Sequence, residues 1–145
     1  MRKPKAIVLD SWAVMAFLQD EPAAEKVADT LADAQENGVP VGMTVVNAGE
    51  VWYIVARRTS AAEADRTLRL IEEIGVRLVD VDAGLTRIAA GYKVKGKISF
   101  ADCYAAALAK QQRGVLLTGD GEFKQLEDEI SIVWLEESGN EGTIR

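Results

Sequence analysis

The sequence predicts a three-layer α/β fold, with a central parallel sheet of about five strands covered by helices on both faces. Two observations carry this. Short, continuously apolar runs with β-branched residues recur along the chain, such as Ala6-Ile-Val-Leu9 and Val115-Leu-Leu-Thr118. An unbroken apolar run marks a strand buried on both faces. Between these runs lie longer stretches whose apolar residues recur at helical spacing, which is the alternation of a parallel sheet with crossover helices. No internal repeat, low-complexity tract or linker divides the chain, so one domain is expected over 1–135, followed by a polar, fraying tail over 136–145.

The elements follow in order. Ala6 to Leu9 is the first strand, ended by Asp10-Ser11, and Trp12 to Gln19 reads as a short apolar helix. Asp20-Glu-Pro22 signals the start of a second helix, with proline in its first turn, whose face is Ala24, Val27, Ala28 and Leu31 and which Asn37-Gly38 stops. Val39 to Thr44 is a strand and Val45 to Arg58 a helix with Val51, Trp52, Ile54 and Val55 on a wide apolar face. Ser60 and Glu63 form a capping box for a helix carrying Ala64, Leu68 and Ile71, closed by Gly75. Arg77 to Val81 is the third strand, and Asp82 caps a helix carrying Leu85, Ile88, Ala89 and Tyr92. Gly91 to Lys97 reads as a basic loop, and Ser99 opens an alanine-rich helix that Gly114 ends. Val115 to Thr118 is the fourth strand. The turn Gly119-Asp120-Gly121, a short helix over Phe123 to Leu126 and a fifth strand over Ile132 to Leu135 complete the fold.

Composition narrows the chemistry. There is no histidine and a single cysteine, Cys103, which excludes imidazole acid–base catalysis, Ser-His-Asp and Cys-His triads, and histidine or cysteine zinc sites within one chain. Cys103 sits among alanines and reads as a buried core residue. The 23 acids exceed the 17 bases, for a formal charge of −6, which is the opposite of a broad nucleic-acid-binding surface. A metal in an acidic cleft would reverse that sign locally. No apolar segment approaches the roughly 18 residues that span a bilayer. The basic start Met1 to Lys5 is followed by too short an apolar run for a signal peptide, so a cytoplasmic protein without membrane attachment is expected.

In open α/β sheets, function lies beyond the C-terminal ends of the strands. Four carboxylates fall there: Asp10 directly after strand one, Asp120 just after strand four, Glu50 early in the helix after strand two, and Asp102 in the first turn of the helix before strand four. Each has an ordinary explanation. Asp10 can cap a helix, Glu50 can share a solvated helix face with Asn47 and Arg57, Asp102 completes a capping box with Ser99, and Asp120 suits a turn. Capping does not require the four to converge, and convergence is costly unless a cation offsets the repulsion. An all-oxygen donor set suits Mg²⁺ or Mn²⁺, and a metal that activates water and clamps a phosphoryl oxygen cleaves phosphodiesters without histidine.

The segments Ile7-Val-Leu-Asp10-Ser11, Asn47-Ala-Gly-Glu50-Val51, Ser99-Phe-Ala-Asp102-Cys-Tyr-Ala-Ala106 and Leu117-Thr118-Gly-Asp120-Gly-Glu-Phe123 occur in one order and span most of the chain. In that order and spacing they resemble a PIN-domain ribonuclease, and within that family a VapC-type toxin of a toxin–antitoxin pair. The resemblance implies a metal-dependent endoribonuclease whose acidic quartet is Asp10, Glu50, Asp102 and Asp120. Asp10 and Asp102 are then the principal ligands of Mg²⁺ or Mn²⁺, Asp120 completes the site, and Glu50 acts through a water. Ser11 and Thr118 take supporting hydroxyl positions, and Glu122 could add a further oxygen but reads first as a helix-start residue. RNA as substrate, a small antitoxin as partner and a homodimer follow from the same resemblance.

Lys93, Lys95 and Lys97 lie just before the Asp102 helix and are candidates to hold the RNA backbone, beside the ordinary reading of a solvated loop; Arg57 and Arg58 are weaker candidates. Trp12 reads as core, with base stacking as the alternative. The residues from Trp12 to Phe17, with Trp52, Tyr53 and Ile54, offer much apolar area for core or partner surface. Two rival readings remain. A haloacid-dehalogenase-type phosphatase needs an acid two residues after its nucleophile, where this chain has Trp12. A receiver-type phosphoacceptor needs an acidic pair after strand one and a lysine after strand five. Here Asp10 has no acidic neighbour, Asp82 is the nearest phosphoacceptor, and Glu136 follows strand five.

Overall fold

The computed structural model describes residues 3–135, so the polar tail from Glu136 lies outside the described residues. Strand β1 (Ile7–Leu9) leads into helices α1 (Ser11–Leu18) and α2 (Ala24–Asn37). Strand β2 (Val41–Thr44) runs directly into α3 (Val45–Arg58), followed by α4 (Ala61–Glu73) and β3 (Val76–Val79). Helices α5 (Ala83–Lys95) and α6 (Phe100–Gln111) precede β4 (Val115–Thr118), a 3₁₀ helix over Gly121–Leu126, and β5 (Ser131–Trp134). The strands form one five-stranded parallel sheet in the order β3-β2-β1-β4-β5, which is the predicted architecture.

Successive strand residues point to opposite faces, and this alternation divides the core in two. Ile7, Leu9, Val41, Met43 and Leu117 pack toward α1, α2 and the inner sides of α3 and α4. Val8 and Leu116 pack the other way, against α5, α6 and Phe123. The alanine run of α6 explains its depth: Ala105, Ala106, Ala107 and Ala109 are all fully buried, so that helix lies close against the sheet. The edge strands β3 and β5 are only partly covered, because each has a neighbour on one side alone.

Several boundaries differ from the sequence reading, each for a local reason. The third strand is Val76–Val79, not Arg77 to Val81, because the chain turns at Asp80 to let Asp82 cap α5, accepting from the Leu85 amide at 2.9 Å. Helix α2 begins at Ala24 after a turn in which Asp20 has φ 54°, and its N-cap position, Ala23, offers no side-chain bond. Gly38, at φ 69°, closes α2 in the left-handed conformation that glycine adopts without strain. The expected basic loop over Gly91 to Lys97 is mostly helix. α5 continues through Gly91 to Lys95, because buried Ala89 and Tyr92 hold that last turn in the core and Lys93 and Lys95 favour the negative end of the helix dipole.

The topology fixes where a site can form. From β1 the chain builds β2 and β3 on one side, then returns to add β4 and β5 on the other. The connections leaving β1 and β4 therefore diverge, and a crevice opens between the C-terminal ends of these two strands. Among the described residues, no helix is long and apolar enough to cross a membrane.

Candidate active site

Asp10 and Thr118 end the two central strands and meet at the switch point. Thr118 donates to Asp10 Oδ2 at 2.6 Å, and the Ala13 amide donates to Asp10 Oδ1 at 2.9 Å. Asp10 therefore serves both readings: it caps α1 and is tied across the sheet to β4. The Thr118 hydroxyl also accepts from the Asp120 amide at 3.0 Å, so one side chain sets the position of two acids. Asp120 in turn caps the 3₁₀ helix, accepting from the Glu122 amide at 2.9 Å.

Asp102 enters from α6. The Ser99 hydroxyl caps that helix by accepting from the Asp102 amide at 3.1 Å, as the capping-box reading requires, while Asp102 itself lines the cleft. Glu50, from α3, accepts a hydrogen bond from Ser11 at 2.8 Å. Ser11, Glu50, Asp102 and Asp120 all line one open cleft of about 340 Å³. Asp10 lies beneath it, wholly buried.

The electrostatics mark the site. Burial pushes the Asp10 carboxyl up to about 7, against the Thr118 and Ala13 hydrogen bonds, and the charges of Asp102 and Asp120 push the same way. Burial also raises Asp102 to about 7, reinforced by Asp120, then opposed by Ser99, with Glu50 and Glu122 adding further repulsion. Two buried acids that repel each other and have no basic partner here fit a hard cation. Asp102, Asp120 and Glu122 each bring one carboxylate oxygen within 4.8 Å of the others. The donor set is entirely oxygen, which suits Mg²⁺ or Mn²⁺.

Glu122, read first as a helix-start residue that could add a further oxygen, joins the donor cluster. One contributor was not singled out from sequence. Asn47, read as part of a solvated face, is completely buried. It accepts from Thr44 at 2.6 Å and donates to the Ala101 carbonyl at 3.1 Å, joining the start of α3 to the turn of α6 that carries Asp102. The only sequence signal was its place three residues before Glu50.

The lysines behave differently. Lys93 donates to the Ile98 carbonyl at 2.7 Å, and Lys95 pairs with Glu129 at 3.0 Å. Lys97 is exposed, its backbone amide bonded to Gln125. None of the three lines the cleft. Trp12 does, half-buried, with its ring lying against Gly119 so closely that a side chain there would collide with it. Glycine is needed at that position, and the indole braces the turn that carries Asp120. Asp82, the acid a receiver domain would use, is occupied as the cap of α5.

A central parallel sheet with carboxylates gathered at its switch point gives an α/β scaffold carrying an all-oxygen donor cluster of the kind that suits a hard cation. The PIN-domain family profile matches residues 7–129, and the chain belongs to that family. Among solved structures it is similar to a VapBC2 complex from Rickettsia felis bound to promoter DNA, at 14% identity and TM-score 0.71, covering 90% of this chain and 99% of that one. It is also similar to VapC20 of Mycobacterium tuberculosis, described as a toxin cleaving the sarcin–ricin loop, at 18% identity and TM-score 0.66, covering 89% and 99%. A third is VapBC-1 from nontypeable Haemophilus influenzae, at 15% identity and TM-score 0.69, covering 90% and 98%. No curated protein sequence matches the chain.

Proposed function

We propose that this PIN-domain protein is a metal-dependent endoribonuclease and the toxin of a toxin–antitoxin pair. The observation that carries the reading is the convergence of Asp10, Glu50, Asp102 and Asp120, drawn from separate segments, on one switch point within a PIN-family fold. Asp102, Asp120 and Glu122 would hold Mg²⁺ or Mn²⁺, with Asp10, expected from the sequence as a principal ligand, buried behind them. When bound, the cation offsets the charge of the acids and of the phosphate and activates the attacking water. Glu50, oriented by Ser11, accepts the proton of that water as its oxygen attacks phosphorus and the sugar oxygen leaves. Thr118 keeps Asp10 and Asp120 in register, and Ser99 and Asn47 do the same for Asp102.

An antitoxin partner is supported by the fold neighbours, several of which are toxin–antitoxin complexes. The apolar side chains of half-buried Trp52 and exposed Tyr53 on α3 supply a surface for it or for a second copy of this chain. The test is cleavage of single-stranded RNA by purified protein with Mn²⁺ or Mg²⁺. Cleavage is expected to stop in EDTA and with Asp102→Asn. Activity that survives both would overturn the mechanism.

A further inference from the structure

The cleft that holds the acids continues outward between α1 and α3. On α1 and its C-cap, Ser11, Met15 and Gln19 recur at every fourth position; on α3, Glu50, Ile54 and Arg58 do the same, and all six line the cleft. Residues four apart share a helix face, so two matched stripes meet. At the acidic end Ser11 donates to Glu50 at 2.8 Å. In the middle Met15 and Ile54 are half-buried. At the outer end the Gln19 side-chain amide lies between the Arg58 guanidinium and the Glu21 carboxylate; turned to satisfy both, its oxygen accepts from Arg58 and its nitrogen donates to Glu21.

The group that reaches Arg58 directly is thus a neutral amide, with the Glu21 carboxylate on the far side of that amide in the same cleft. Arg58 forms no salt bridge among the described residues, where the pairs are Arg66 with Glu63 and Lys95 with Glu129. Its neighbour Arg57 is turned elsewhere, over the Tyr53 ring at 4.9 Å from the centroid. A guanidinium held this way keeps its charge and most of its donors for an incoming anion. Glu50 and Arg58 are separated by about 12 Å of helix at 1.5 Å per residue, too far to share one phosphate directly. With a cation on the acids, both ends attract anions across an apolar floor, and their separation of about 12 Å corresponds to about two phosphate-to-phosphate steps of a nucleic-acid strand.

Resting on the nuclease reading above, we infer that the α1–α3 groove seats the RNA strand flanking the scissile bond, with Arg58 binding a backbone phosphate beyond the one that is cut. Met15 and Ile54 form the floor under the intervening nucleotides. Arg58 is a substrate-binding residue in this scheme and takes no part in the bond-breaking step.

The experiment compares wild type, Arg58→Gln and Arg58→Lys in Mn²⁺-dependent cleavage of a labelled single-stranded RNA oligonucleotide, with thermal unfolding as the folding control. Arg58→Gln should raise KM about tenfold at near-constant kcat, the loss of one charged phosphate contact. It should also flatten the dependence of log kcat/KM on log salt by about 0.7, and Arg58→Lys should restore that slope. Unchanged KM and salt slope in Arg58→Gln would overturn the inference while leaving the nuclease intact. So would a variant that binds RNA normally and loses only its complex with a protein partner. Anisotropy with the same RNA in Ca²⁺ separates the two readings. Arg58-dependent binding without turnover in wild type keeps the groove and sinks the nuclease; no binding at all sinks both.

Discussion

The acids at the switch point and the lysines at and just past the end of α5 were both candidate functional groups in sequence, the acids the stronger through their conjunction, and the fold treats them in opposite ways. Asp10, Asp120, Glu50 and Asp102 come from four separate segments, yet they gather around one crevice. Lys93, Lys95 and Lys97 are neighbours in sequence, yet the first bonds a carbonyl, the second pairs with Glu129 and the third faces solvent. A parallel sheet aligns the C-terminal ends of its strands, so residues that follow strands converge whatever their separation along the chain. Nothing comparable focuses consecutive residues on a helix, because a helix turns each side chain in a different direction.

The sharpest way to break the acidic side of this contrast is Asp10→Asn. The amide can keep a bond to Thr118 and the cap on Ala13, so the fold persists while one charge disappears. Activity with Mn²⁺ should fall at least about 10³-fold, the scale of several kcal/mol that a well-held metal contributes. Retention of near wild-type kcat would show that Asp10 is only a helix cap. Thr118→Val tests the next shell outward. It removes the hydroxyl that joins Asp10 to the Asp120 amide, and should cost about 10–100-fold in activity or metal affinity. Ser11→Ala, which frees Glu50, makes a useful parallel.

The same buried acids predict how the metal-free protein responds to pH. Asp10 and Asp102 titrate at about 7 when folded, against 3.8 for an ordinary aspartate. Between those values the folded state binds more protons than the unfolded chain, so stability falls as pH rises through that window. Chemical denaturation in EDTA should show this decline, Asp10→Asn should reduce it and raise the Tm at neutral pH, and added Mg²⁺ should restore stability by binding the folded state. A metal-free protein equally stable across that range would mean the acids are better solvated than their burial implies.

Much of this was legible in the sequence because burial leaves a strong mark. The central strands appear as unbroken apolar runs, and an acid at the end of such a run stands out. Ser99 with Asp102 and Ser60 with Glu63 were legible as caps because capping is local. What failed to show depends on partners far away in sequence. Asn47 looks like a helix-surface residue until the Ala101 carbonyl, supplied by α6, covers it. Glu122 looks like any first-turn acid until Asp102 arrives beside it. Gly91 signals a break, but Tyr92 in the core keeps α5 winding to Lys95. Nor could spacing show that Asp10 would act as both cap and cross-sheet anchor.

The lysines give the smallest expected effect and the most discriminating control. Lys95→Ala removes an exposed pair with Glu129, and such pairs contribute about 0–1 kcal/mol, so stability should drop slightly and cleavage should stay within about twofold of wild type. Lys93→Ala should act through stability as well, because it releases the Ile98 carbonyl next to the Ser99 cap. Lys97 is different: among the described residues its ammonium makes no contact, so it alone remains free to meet a phosphate. If RNA crosses this side of the cleft, Lys97→Ala should raise KM and flatten the salt dependence as Arg58→Gln does. If only the Arg58 variant does so, the strand runs out along α1 and α3, and the basic segment before α6 serves the fold.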